Sequence, residues 1–129
     1  MKKLFIVLLL ISLFSMGLMA QSLTLQWTNS VTEGVTDYNL YRSETAGSGY
    51  AIVNGELISG DLSGQTEWID STVKYNKRYY YVCRAVMPWN DPAGDSGILE
   101  SVNSNEATEY IMPPAPNAPS GLIKKSSQP

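Results

Sequence analysis

The sequence has no histidine and a single cysteine, Cys83, in 129 residues. Histidine is the commonest general base, triad member and zinc ligand, so its absence removes most routes to hydrolytic and metal chemistry. With one cysteine as well, a transition-metal site would need carboxylates alone, and no internal disulfide can form. The glycine pair in Gly47-Ser48-Gly49 lacks the following lysine and the helical pattern of a phosphate-cradling loop. No run of like charges appears, and no segment sustains helical apolar spacing over three turns, which argues against a helical domain. Asp91, Asp95 and Glu100 lie near one another and are the type of residue a glycosidase uses. Loop carboxylates without supporting groups read as solvation instead. The expectation is a protein that is not an enzyme and holds no cofactor and no metal.

What is present begins with an address. Lys2 and Lys3 precede the apolar run Leu4 to Leu13, and Ala20 closes the segment, which is the pattern of a secretory signal peptide over residues 1–20. The competing reading is a membrane anchor. Ser12, Ser15 and Gly17 interrupt that stretch, which barely reaches across a hydrocarbon core of ~30 Å. No cysteine follows Ala20, so a lipoprotein anchor is excluded. Removal of 20 residues leaves 109, the size of one domain. It also takes two of the nine basic residues, so seven basic side chains face 12 acidic ones, a net charge of −5. Such a surface repels nucleic acid and anionic membranes. The expected location is secreted, extracellular or periplasmic, with no membrane span after cleavage.

The rest of the chain reads as all-β, with turn signals at short intervals. Leu23 to Thr28 alternates, with Leu23, Leu25 and Trp27 on one face. Tyr38 to Arg42 alternates again, with Tyr38 and Leu40 on the same side. Tyr50 to Val53 and Glu56 to Ile58 flank Asn54-Gly55, the strongest hairpin dipeptide, and are expected to pair around it. Thr66 to Ile69 forms a further strand. In Tyr79 to Val86, one face carries Tyr79, Tyr81, Cys83 and Ala85, which suits a tapering core and makes Cys83 a buried hydrophobe. The other face, Tyr80, Val82, Arg84 and Val86, is expected to be only partly covered. Pro88 to Gly97 holds two prolines and two glycines and is expected to be an irregular loop. Ala107 to Ile111 closes the set.

Several of these residues, taken in order, resemble the fibronectin type III domain from Leu23 to Met112. The resemblance rests on Trp27, on Tyr38, and on the aromatic-x-Asp step Trp68-Ile69-Asp70. It continues through the Tyr-x-Tyr run from Tyr79 to Val86, with Cys83 in a valine slot, and through Ser104-Asn105-Glu106-Ala107. It implies an all-β, seven-strand-type, immunoglobulin-like sandwich over residues 21–112 whose core includes Trp27, Tyr38, Leu40, Trp68, Tyr79, Tyr81 and Cys83. It also implies a corner hydrogen bond from Tyr79 back to the preceding loop. One part is missing. The family's first strand opens with Pro-x-x-Pro-x-x-Leu about a dozen residues before the tryptophan strand, and only Gln21 and Ser22 precede Leu23 after cleavage.

Two functional classes follow. In the first, a secreted module binds protein or carbohydrate, or acts as a spacer, through the Met87–Gly97 segment. There Trp89 is the anchor and Asn90, Asp91 and Asp95 are polar contacts. Their spacing lacks the calcium-loop pattern. Ala93 stands where an integrin-type tripeptide would need arginine, so no integrin binding is implied. Tyr41, Tyr50 and Tyr80 either add an aromatic surface or cover sheet faces. In the second class the tail at 113–129 matters. It is a Pro/Ser-rich linker, the stub of a further repeat, or a first-strand mimic, since Pro116 to Ile123 resembles such an opening. Donated head-to-tail, segment 114–125 would make the chain a structural subunit that associates with itself.

Overall fold

The computed structural model describes residues 21–128, so the leader expected at 1–20 lies outside the described residues. Eight strands occur among them: β1 (Leu23–Thr28), β2 (Asp37–Ser43), β3 (Ala51–Ile52), β4 (Ile58–Ser59), β5 (Gln65–Asp70), β6 (Lys77–Asn90), β7 (Ser96–Glu100) and β8 (Ala107–Ile111). No helix occurs among the described residues.

β1 and β5 form a two-stranded antiparallel sheet, in register from Leu23↔Asp70 to Thr28↔Gln65. The second sheet runs β3-β2-β6-β7, with β4 also on β2 and β8 also on β6. Its centre is the pairing of Asp37–Ser43 with Tyr80–Val86. The two sheets enclose one core. Tyr38, Leu40, Ile58, Val73, Tyr79, Tyr81 and Cys83 are buried there, and Leu23, Leu25, Trp27 and Trp68 pack against them from the β1–β5 side. Alternation explains this face of β1, whose side chains are half-buried and exposed in strict turn.

Two readings of the sequence are corrected. First, Asn54-Gly55 does not make a hairpin, because β3 and β4 each pair with β2 and not with each other. A two-residue type I′ turn needs positive φ at both central residues, and neither Asn54 nor Gly55 has it. Instead Asn54 is buried and replaces a stretch of ladder. Its Oδ1 accepts the Leu40 N–H at 2.8 Å, and its Nδ2 donates to Asn39 Oδ1 at 2.8 Å and to the Glu56 carbonyl at 2.9 Å. The carboxamide thus bridges a break in one edge strand.

Second, Pro88–Gly97 is not an irregular loop. β6 and β7 continue as a ribbon, pairing Val86↔Glu100 through Asn90↔Ser96. Proline is tolerated there because β2 leaves β6 at Val86, so Pro88 pairs on one side only. The outer face of β6 is covered in part, as expected, with Val82 and Val86 buried and Tyr80 and Arg84 half-buried. Glu100 Oε1 accepts from Asn39 Nδ2 at 2.6 Å and from Tyr41 Oη at 2.8 Å, while Arg84 lies 4.4 Å from the Tyr41 ring centroid. Tyr41 and Glu100 stand directly across the ladder from Val82 and Val86.

The strand opposite β6 is also broken. Between β7 and β8 the chain carries two residues more than β6 does over the same span. The Ser101 and Ser104 hydroxyls accept the Ala85 and Cys83 N–H groups at 2.9 and 2.8 Å, in place of backbone carbonyls. Eight strands therefore fill six positions.

Candidate interaction surfaces

The β6–β7 ribbon brings Trp89, Asn90, Asp91 and Asp95 to one tip, where the Asp91 side chain is used locally. The Asp91 carboxylate caps the turn, its Oδ1 accepting the Ala93 and Asp95 N–H groups at 2.9 Å each. The Asp91 N–H donates to the Asp95 carbonyl at 2.8 Å, and Gly94 supplies the positive φ of 95° that the turn requires. Trp89 is 39% exposed, yet it faces Gly97 so closely that a β-carbon there would come within 2.8 Å of Nε1. One part of the indole is thus spent stabilising its own ribbon. Of the other aromatic candidates, Tyr41 carries the Arg84 guanidinium on its ring, and the Tyr50 hydroxyl is tied to Glu106. Among the described residues no group of acidic or thiol side chains is arranged to hold a metal ion.

A second surface follows from strand order. Among the described residues β1 pairs only with β5, so its other edge carries backbone donors and acceptors with no described strand beside them. Between that edge and the 101–107 connection lies a groove of about 550 Å³. Its floor is core: Leu25, Trp27, Leu40, Tyr81 and Cys83 reach it, with Ala107 at the rim. Cys83 is 9% exposed, and burial pushes its thiol up to about 12, so it stays protonated and apolar at neutral pH. Trp27 Nε1 is buried without a hydrogen-bond partner among the described residues. A buried donor left in that state costs about 1–3 kcal/mol. The groove therefore combines an apolar floor with an open strand edge, while the unsatisfied indole N–H of Trp27 is buried beneath its lining.

The sandwich closes below the groove around Asp70, which is fully buried. Its Oδ2 accepts from Arg42 Nη1 and Tyr81 Oη at 2.8 Å each, and its Oδ1 from the Thr72 N–H and hydroxyl at 2.9 and 2.7 Å. Burial alone would raise the Asp70 carboxyl, but the hydrogen bonds from Thr72, Tyr81 and Arg42 outweigh it and hold the group below its usual value. Burial, reinforced by the bond to Asp70, pushes the Tyr81 phenol up. The cluster ties the two sheets together and is structural. The sequence offered only the aromatic-x-Asp step as a hint of it.

The Tyr79 hydroxyl accepts the Lys74 N–H at 3.0 Å, which is the corner bond expected from the resemblance. With the strand order β3-β2-β6-β7 facing β5-β1, this defines an all-β, fibronectin type III-like sandwich. No family model matches the sequence, and no curated protein does. Among solved structures the chain is similar to a Fn3-like protein from Clostridium thermocellum. The two share 27% identity over 73% of this chain and 81% of that one, with a TM-score of 0.46.

Proposed function

We propose that the protein is an exported, non-catalytic interaction module that takes up an extended polypeptide segment along the open edge of β1. The leader pattern over residues 1–20 supports export. The observation that carries the binding reading is the coincidence of the unpaired β1 edge with a groove floored by Leu25, Trp27, Tyr81 and Cys83. Main-chain bonds to β1 would supply affinity, and apolar side chains entering the groove would supply selectivity. A polypeptide suits this edge better than a carbohydrate, because it alone offers a repeating ladder of donors and acceptors.

Panning a displayed dodecapeptide library on residues 21–112 tests the reading, since every buried side chain of the sandwich precedes Met112. Selected peptides are expected to slow hydrogen exchange of the β1 amides. They are expected to lose binding to Ala107→Arg, which puts a charged chain at the groove rim. Peptides that protect the Trp89 ribbon instead, or that still bind Ala107→Arg, would defeat it.

A further inference from the structure

The groove has a candidate occupant in the chain itself. Residues 112–128 form no strand and are exposed throughout, with Leu122 97% and Ile123 77% exposed. Two adjacent large apolar residues fully in water, on a segment that contributes nothing to the core, lack a partner. Prolines at 113, 114, 116 and 119 deny backbone donors to the first part of this tail. Ser120 to Lys125 is free of proline and is six residues long, the length of β1. Two residues so placed, one on each face of a strand, would put one apolar side chain into the groove and the other over its rim.

Direction decides between self and neighbour. β8 ends at Ile111, opposite Lys77, which lies beyond the level at which Tyr81 meets Asp70. Leu23 pairs with Asp70, so the tail departs from the Leu23 end of β1. A strand antiparallel to β1 must enter from the other end, near Thr28. Met112 to Pro119 can span at most ~27 Å at ~3.4 Å per residue. Reaching the Thr28 end of its own β1 would consume that length and still require a full reversal. A second molecule stacked end to end would present its Thr28 end to the departing tail. Charge agrees with this: residues 21–112 carry five basic and 12 acidic side chains, a net −7, while the tail's charged side chains are Lys124 and Lys125.

We infer that Ser120–Lys125 of one copy pairs antiparallel with β1 of a second copy, with the Pro113–Pro119 stretch as a semi-rigid spacer between them. The inference rests on the strand-accepting reading and names its partner. The contact is heterologous and leaves a free tail at one end and a free groove at the other, so it propagates as an open chain.

Sedimentation of residues 21–129 over a wide concentration range tests this beside two variants, the chain ending at Met112 and Leu122→Ser/Ile123→Ser. The intact chain is expected to gain mass steadily with concentration, and both variants to stay monomeric. A synthetic peptide of residues 113–128 is expected to bind the shortened chain, protect its β1 amides and cap assembly of the intact one. A monomer at every concentration, or assembly that persists in both variants, would overturn the inference. So would a peptide that leaves β1 unprotected. If library peptides occupy the groove while the tail peptide does not, the groove reading stands and this inference alone falls.

Discussion

Replacing Asn54 with alanine removes one carboxamide and breaks three bonds at once. The Leu40 N–H loses its acceptor, and Asn39 Oδ1 and the Glu56 carbonyl lose a donor. Leu40 and Asn39 are 2% and 5% exposed, so water cannot readily replace the lost partners. Each stranded buried group costs about 1–3 kcal/mol. Glu56 is exposed, and its carbonyl can turn to solvent. The expected loss for Asn54→Ala is therefore about 3 kcal/mol. At about 4–8 °C per kcal/mol for a domain near this size, the melting temperature should fall by roughly 12–24 °C. Gly55→Ala supplies the opposite sign. Gly55 has no positive φ, and a β-carbon there meets nothing within 4 Å. Alanine should then be neutral or stabilising by about 0.4–1 kcal/mol, through lost freedom in the unfolded chain. Thermal and urea unfolding of both variants decide the matter. A type I′ hairpin would show the reverse, with Gly55→Ala clearly destabilising and Asn54→Ala mild, and that result would refute the ladder-bridging role.

Tyr79→Phe keeps the buried ring and its contact with Arg42, 4.8 Å from the ring centroid, but removes the acceptor of the Lys74 N–H. Lys74 is exposed, so water recovers part of the bond, and a loss of about 1 kcal/mol is expected by urea titration. Unchanged midpoints would show that the corner bond contributes nothing. Asp70→Asn should cost about 3 kcal/mol at neutral pH, because it leaves Arg42 and Tyr81 around a neutral group. The folded Asp70 carboxyl lies below its ordinary 3.8, so its stabilisation is complete above that value and is lost as pH falls through the lower folded one. Unfolding measured from pH 7 to pH 2 should show the two proteins converging in acid; a constant gap would mean the carboxylate's charge is immaterial.

Much of the sandwich was legible because burial imposes period two on a strand. Trp27, Tyr38, Leu40, Tyr79, Tyr81 and Cys83 could be placed on the inner face from alternation alone. The misreadings share one cause. Asn54-Gly55 and Pro88–Gly97 carry turn-forming residues, and local propensity cannot see whether a neighbouring strand has a broken ladder for the side chain to mend. Ser101 and Ser104 are of the same kind, since their hydroxyls matter only because β6 presents unpaired amides opposite them. Trp89 was legible as an aromatic in a protruding segment, but its packing on Gly97 was not.

The amino-acid sequence by itself determined the all-β class and the inner faces of its main strands, because these follow from local alternation. Only the tertiary structure decided that a groove beside β1 reaches core side chains, and that Asp70 locks two sheets through Arg42 and Tyr81. Those features arise where residues distant in the chain meet, and no local pattern encodes which donors will lack acceptors once they do.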